Sequence, residues 1–122
     1  MSSFAKHQNQ ARRNERFLRA LDKTVSINRE WVVTAAFYAA LHWLEAYFDN
    51  QYTLHFSEHT TRNNAIMRIG LPIATDYLEL YRASHNARYL MYRFSQREVD
   101  ELINISYTAV KNFVQNVLRA AR

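Results

Sequence analysis

The chain has 122 residues, a length that fits one domain rather than two. Hydrophobic residues make up 48%, and glycine and proline occur once each, so the turn residues that β folds, dinucleotide-binding loops and P-loops require are missing. Without cysteine there is no disulfide, thiolate zinc site or cysteine nucleophile. We therefore expect one all-α domain over residues 1–122, an antiparallel up-and-down four-helix bundle with one additional short helix.

The first predicted helix runs from near Phe4 to Thr24, with apolar positions that become regular toward its end. Ser26 or Asn28 is suited to cap the second helix, which should reach about Asp49. That helix is apolar nearly all round, as expected for the central helix of a bundle. A histidine and a glutamate interrupt it, so we expect no membrane span. Because the chain has no cysteine and its first residues form no apolar signal segment, we expect a cytoplasmic protein.

The remaining helices are delimited by capping signals. Ser57 is a predicted cap for a short helix that ends at Gly70, the only glycine. Pro72 lies where the next helix can begin, and that helix should reach about Arg93. The sequence Ser-Gln-Arg-Glu at 95–98 is a capping box and predicts the start of the last helix, which runs to the end of the chain.

The net charge of +5 is unevenly distributed. Residues 1–25 carry +4, residues 26–101 carry −2 and residues 102–122 carry +3. Thirteen of the sixteen basic residues are arginine, whose forked guanidinium suits phosphate. The candidate nucleic-acid-binding residues on the two terminal helices are Arg12, Arg13, Arg16, Arg19, Lys111 and Arg119. The alternative is that these side chains form an ordinary solvated helix face.

The helix that follows Pro72 has two distinct faces. Its predicted core face comprises Tyr77, Leu80, Ser84, Ala87 and Met91. The adjacent face comprises Leu78, Tyr81, His85, Arg88 and Tyr92, with Arg82 and Tyr89 at its margins. Tyrosine and arginine together are typical of a dimer interface, and aromatic rings with arginine also suit RNA. A half-buried face with structural tyrosines is the third interpretation.

Metal-independent RNA cleavage requires a group that moves protons and a cation that stabilises the phosphoryl oxygens. Histidine serves as the acid or base, and arginine binds the non-bridging oxygens. Arg82, His85 and Arg88 recur at a spacing of three, so they lie within about one and a half helical turns. These three residues are therefore candidates for a ribonuclease site.

Histidines outside that helix allow two further interpretations. His42 lies within the most apolar helix and needs a hydrogen-bond partner, which Glu45, Tyr38 or a group on another helix can supply. We consider it a core histidine or a catalytic one. The sequence from His55 to His59 matches the inverted zincin motif, but a helix starting at Ser57 leaves His55 in the loop. We therefore expect no metal and no cofactor.

Three motifs in order give the chain a family resemblance. They are Tyr-Ala-Ala-x-His ending at His42, His-x-x-Arg from His59 to Arg62, and Ser-x-x-Ala-Arg-Tyr from Ser84 to Tyr89. Together they resemble bacterial members of the HEPN superfamily over roughly residues 31–89. The polar cluster that this resemblance implies comprises His42, His59, Arg62, Ser84, Arg88 and Tyr89.

The resemblance implies a helical bundle that dimerises and acts on RNA in a toxin–antitoxin or defence system. Catalytic members of the superfamily are metal-independent endoribonucleases, and others are modules that bind RNA, nucleotides or a partner protein, a nucleotidyltransferase-like protein among the partners considered. Catalytic members carry Arg-x(4–6)-His, and no arginine stands at that distance before His59 or His85. The enzymatic alternative uses His85 or His59 as acid or base and Arg62, Arg82 or Arg88 as phosphate clamp. The other alternative is a binding or structural subunit without turnover.

Overall fold

A computed structural model describes residues 3–120, and their regular secondary structure is entirely helical. Helices α1 to α4 span Ser3–Ala20, Ser26–Tyr52, His59–Ile69 and Ala74–Tyr89. Helix α5 is continuous through three segments, Gln96–Glu101, Leu102–Tyr107 and Thr108–Ala120. The prediction of an all-α protein with four longer helices and one shorter one is confirmed.

Helix α2 lies at the centre of the fold, as its composition predicts. Fourteen of its 27 residues are buried, and α1, α4 and α5 all pack against it. Trp43, Phe37, Phe48 and Leu44 are among the largest side chains in the core, each fully buried. Within the part of the chain that the structure describes, no helix has the length and apolarity needed to cross a membrane.

Two predicted capping signals are confirmed. Gly70 follows α3 with a φ of 73°, and its N–H donates to the carbonyl oxygens of Ile66 and Met67. At the start of α5 the Ser95 hydroxyl accepts from the Glu98 N–H at 3.1 Å, and the Glu98 carboxylate accepts from the Ser95 N–H at 3.0 Å. This is the complete capping box.

Other predicted helix boundaries were wrong. Helix α1 ends at Ala20 rather than Thr24, because the Asp22 carboxylate accepts from the Thr24 backbone and hydroxyl and closes a turn there. No side chain caps α2, since Asn28 instead donates to the Asp22 carbonyl. The N-cap of α3 is Glu58 and not Ser57, so His55 does lie in the loop.

The end of α4 also differs from the prediction. The helix stops at Tyr89 instead of Arg93, and Met91 adopts a positive φ of 51°. Met91 is therefore 88% exposed and is not part of the core, whereas the other four predicted core residues of α4 are buried. A left-handed residue ends a helix much as glycine does, and nothing in the residue type of methionine predicts it.

The middle segment of α5, Leu102–Tyr107, is π-helical and was not predicted. The Tyr107 hydroxyl accepts from the Trp43 indole N–H at 3.1 Å and donates to Glu15 at 2.9 Å. This residue therefore links α5 to both α2 and α1. A single widened turn inside an α-helix has no signature in residue type, so the sequence did not predict it.

Candidate functional site

A buried ion pair joins α2 to α3. Glu45 is 1% exposed and Arg62 is 3% exposed, and Arg62 Nε lies 2.7 Å from Glu45 Oε1. Arg62 Nη2 also donates to the Phe56 carbonyl at 2.6 Å, and the Phe56 N–H donates to Glu45 Oε2 at 3.3 Å. Both charges are thus compensated within the fold, so Arg62 is occupied by the protein itself and is not free to hold a phosphate.

His59 lies beside this ion pair and faces α4. Its Nδ1 is 3.3 Å from Arg62 Nη1, and its ring contacts Phe37 and Tyr81 at centroid distances of 5.6 Å each. Burial, followed by the charges of Arg62 and Arg88, lowers the pKa of His59. The ring is therefore neutral at neutral pH, and the structure brings His59, Arg62 and Arg88 of the predicted cluster close together.

Three further imidazoles stack next to the ion pair. His7 Nδ1 on α1 lies 2.9 Å from His42 Nδ1 on α2, and the His7 ring also stacks on His55 at 5.6 Å. Burial lowers the pKa of His7 and lowers that of His42 to about 4, with a further contribution from His7. Both are neutral, so one Nδ1 donates and the other accepts. A partner for His42 on another helix was one of the three predicted alternatives.

Arg88 on α4 has surroundings unlike those of Arg62. Its Nη1 donates to the Tyr38 hydroxyl at 2.6 Å, and its guanidinium lies 5.4 Å to 5.8 Å from the ring centroids of Tyr38, Tyr89 and Phe37. Among residues 3–120 it forms no ion pair, and its buried Nε has no hydrogen-bond partner. Arg88 is thus a half-buried cation without a counter-ion.

One stripe of α2 is not buried by its neighbours, and we call it the α2 ridge. It consists of Ile27, Trp31, Thr34 and Tyr38, at the i, i+4, i+7 and i+11 positions of one helix face. On one side lies a groove against α1, lined by Gln10, Asn14, Phe17, Trp31, Thr34, Ala35, Tyr38 and His42. On the other side is a cavity of about 520 Å³, to which Arg88 and Arg93 contribute together with Glu30.

The remaining predicted residues of α4 are distributed around this region. His85 is exposed and its ring contacts Tyr89 at 5.0 Å, while Tyr89 in turn lies against Arg88. Arg82 is exposed and pairs with Glu79 at 3.6 Å, so it lies apart from the cluster's contacts. Ser84 is fully buried and its hydroxyl has no partner in the described structure.

The basic residues of the terminal helices fall into two groups. Lys111 lies 2.7 Å from Glu15, Arg19 lies 3.8 Å from the same carboxylate, and Arg12 covers the Trp43 ring at 5.5 Å. These three interact within the molecule. Of the other predicted candidates, Arg13, Arg16 and Arg119 are exposed and form no ion pair in the described part of the chain.

Sequence reasoning missed or misplaced several residues of this region. It proposed Glu45 and Tyr38 only as partners for His42, whereas they bind Arg62 and Arg88. A carboxylate inside an apolar helix was the available signal, because it demands a buried cation. His7 and Trp31 gave no such signal, because the sequence does not show which helix packs against the face on which each of them lies.

The site as a whole combines a closed ion pair, a set of neutral imidazoles, a cation without counter-ion and exposed aromatic rings. Such groups can bind an anion and stack on planar rings, and the neutral imidazoles can accept protons. Comparisons of the chain with protein-family models, with curated proteins and with solved structures found no match.

Proposed function

We propose that this protein binds single-stranded RNA along the α2 ridge. The observation that carries the proposal is Arg88, a half-buried guanidinium that has no carboxylate partner and lies against the ridge residue Tyr38. A cation in such a place is stabilised by an anion from outside, and a phosphate accepts two parallel N–H bonds from a guanidinium.

The groove between the α2 ridge and α1 also offers rings on which bases can stack. Trp31 is 57% exposed and Phe17 is 53% exposed, and both line the groove between α1 and α2. The same groove contains the side-chain amides of Gln10 and Asn14, which are hydrogen-bonded to each other at 3.0 Å. Aromatic rings and amides together suit an unpaired base, whose faces stack and whose edges form hydrogen bonds.

The charge of α1 supports the same placement. Arg13 lies three residues after Gln10 and four before Phe17, so it shares their helix face. Its exposed guanidinium is therefore at the margin of the groove and can contact a phosphate while a neighbouring base stacks. Arg16 and Arg119 add to the positive field that attracts a polyanion at longer range.

We extend the proposal to fold and assembly on the basis of the HEPN resemblance. Five residues connect α1 to α2 and four connect α3 to α4, and such short connections favour antiparallel neighbours in a four-helix bundle with α3 as the additional helix. An exposed apolar segment at the end of α4 supports a homodimer, the assembly implied by the resemblance. The proposed setting is a cytoplasmic toxin–antitoxin or defence system.

The test is the affinity for a mixed-sequence single-stranded RNA, measured by fluorescence anisotropy in EDTA. Trp31→Ala should weaken binding about 5- to 100-fold, since stacking contributes roughly 1–3 kcal/mol per base. Met67→Ala is the matched control, because Met67 is equally exposed but lies on α3. Arg13→Ala should reduce the magnitude of the slope of log affinity against log salt concentration by about 0.7, whereas Arg97→Ala should leave that slope unchanged. No binding at 50 mM salt, or equal losses in Trp31→Ala and Met67→Ala, would overturn the proposal.

RNA cleavage is the second candidate, and one contact favours it. The Tyr89 ring contacts both His85 and Arg88, so an exposed imidazole and the unpaired cation lie next to the same ring. In this version His85 acts as acid or base and Arg88 binds the phosphate. The test is to incubate the RNA with the protein in EDTA. Cleavage that is lost in His85→Ala supports the enzyme, and RNA that stays intact at high protein concentration excludes it.

A further inference from the structure

His7, Glu45 and His55 come together from three separate segments of the chain. His7 belongs to α1, Glu45 to α2, and His55 to the loop before α3. One potential ligand atom from each, two imidazole nitrogens and one carboxylate oxygen, lies within 4.8 Å of the other two. Two histidines and a glutamate form the ligand set of many three-ligand zinc sites.

The spacing of His55 and Glu45 fits a shared metal ion. His55 Nδ1 lies 3.3 Å from Glu45 Oε2. Zinc bonds of about 2.0–2.1 Å at a tetrahedral angle place two ligand atoms about 3.3 Å apart. The His55 side chain is 62% exposed and can rotate. The three ligand atoms already lie within 4.8 Å of one another, so a shared ion requires the longer of these distances to shorten to about 3.3 Å.

Neighbouring residues form hydrogen bonds with these potential ligands, as residues around a metal site do when they orient its ligands. Arg62 occupies Glu45 Oε1, while Oε2 faces His55 and accepts from the Phe56 N–H at 3.3 Å, which orients it. When His7 Nδ1 donates to His42 Nδ1 at 2.9 Å, its Nε2 carries a free lone pair. Ligating histidines generally donate their other ring N–H in this way, which fixes the orientation of the ring.

The charge balance also permits a divalent cation. Because Arg62 already compensates Glu45, the positive charge of an ion has to be offset by another group. Asp49 lies one turn after Glu45 on the same helix, and its negative charge acts on His7. This second carboxylate offsets part of the positive charge that an ion would bring.

We infer that His7, Glu45 and His55 form a binding site for a zinc-type divalent cation. Three protein ligands leave the fourth tetrahedral position open, and the exposed His55 gives an ion access from solvent. The ion would join α1 to α2 and to residues 53–58. This inference does not depend on RNA binding, since it uses none of the ridge residues.

The experiment is a titration of the EDTA-treated, metal-free full chain with Zn²⁺ by calorimetry, repeated with Co²⁺ to observe the visible absorption of a tetrahedral site. We expect one ion per chain and an affinity at least tenfold weaker in His55→Gln and in His7→Gln. Glu58→Gln serves as the control, because it removes an exposed carboxylate from the same loop and should bind as the unmodified chain does.

A second readout separates metal binding from damage to the fold. A saturating level of Zn²⁺ should raise the thermal midpoint of the unmodified chain, because an ion bound to the native state stabilises it by mass action. The midpoint of His55→Gln should not respond, although its metal-free midpoint stays close to that of the unmodified chain. The inference is overturned if no stoichiometric binding occurs at micromolar Zn²⁺, or if both histidine variants bind as tightly as Glu58→Gln.

Discussion

Helix α2 carries polar groups in two regions that differ in how their charges are compensated. Near its C-terminal end Glu45 is buried together with Arg62, and every charged atom of the pair has a partner inside the fold. Near its middle Tyr38 accepts a hydrogen bond from Arg88, which forms no ion pair in the described structure although Glu30 lines the same cavity. We call the first region closed, because its charges are paired within the fold, and the second region open, because its cation forms no ion pair.

The comparison separates residues that maintain the fold from residues available to a ligand. Arg62 cannot leave this buried pair without a large cost, so it is not available to bind a phosphate. A half-buried cation held only by a hydroxyl and aromatic rings keeps its capacity to bind an anion. The three motifs of the family resemblance supply residues to both regions, and the motif pattern alone does not distinguish them.

Removal of one partner from the closed region should have the largest effect. Arg62→Leu leaves Glu45 buried without a cation, and we expect the free energy of unfolding to fall by about 3–5 kcal/mol. Arg88→Leu removes a cation that forms no ion pair, and its cost should stay below that of Arg62→Leu, at about 1.5–3 kcal/mol for the lost hydrogen bond from a charged group together with its ring contacts. Urea denaturation followed by circular dichroism measures both.

A double variant sharpens this prediction. Glu45→Leu combined with Arg62→Leu removes both charges, so it should be more stable than Arg62→Leu alone, since paired apolar replacements of buried ion pairs are often neutral. Equal losses for Arg62→Leu and Arg88→Leu would contradict the distinction between a closed and an open region.

The helices could be predicted from sequence because their signals are local. The scarcity of glycine and proline, the capping box at Ser95 and the single Gly70 each act within a few residues, and the structure confirms them. The boundaries that failed were decided by competing local bonds, such as the turn that Asp22 makes with Thr24. The residue types that form these bonds occur in helices as well as in turns, so the sequence does not show at which residue the helix ends.

The site could be predicted only in part because its contacts join distant segments. His59, Arg62 and Arg88 were recognised as a cluster, but the assignment of Arg62 as a phosphate clamp missed its partner 17 residues earlier. The contact between His7 and His42 spans 35 residues, and neither helix indicates it alone. Such pairings follow from how α1 packs on α2 and from how the Arg62 side chain reaches α2 from α3, which periodicity does not specify.

The imidazoles between the two regions should make stability depend on pH. Burial lowers the pKa of folded His42 to about 4 from an ordinary value of 6.5, so between these values the unfolded chain binds more protons. The free energy of unfolding should therefore fall as the pH decreases from 6.5 toward 4, by about 1–2 kcal/mol once partial solvent exposure is allowed for.

The control for this dependence is His42→Gln, which keeps a hydrogen-bonding side chain and cannot titrate. Its loss of stability over the same pH range should be smaller than that of the unmodified chain, with the residual loss due to His7 and His59, whose pKa values are also lowered. Urea midpoints at intervals across the range measure the difference. Identical pH profiles would show that His42 titrates normally and is not desolvated.

The smallest effect on stability should come from the open region. Tyr38→Phe removes only the hydroxyl that accepts from Arg88 Nη1, and the aromatic contact with the guanidinium remains, so we expect a loss of about 1 kcal/mol or less. Because the guanidinium then lacks its one internal hydrogen bond, it becomes freer to bind a phosphate, and RNA affinity should stay the same or increase. Thermal unfolding and anisotropy on one preparation give both values. If Tyr38→Phe lost as much stability as Arg62→Leu, Arg88 and Tyr38 would be residues that maintain the fold. A side chain that is available to a ligand contributes little to the stability of the ligand-free protein, so its loss should have a small effect.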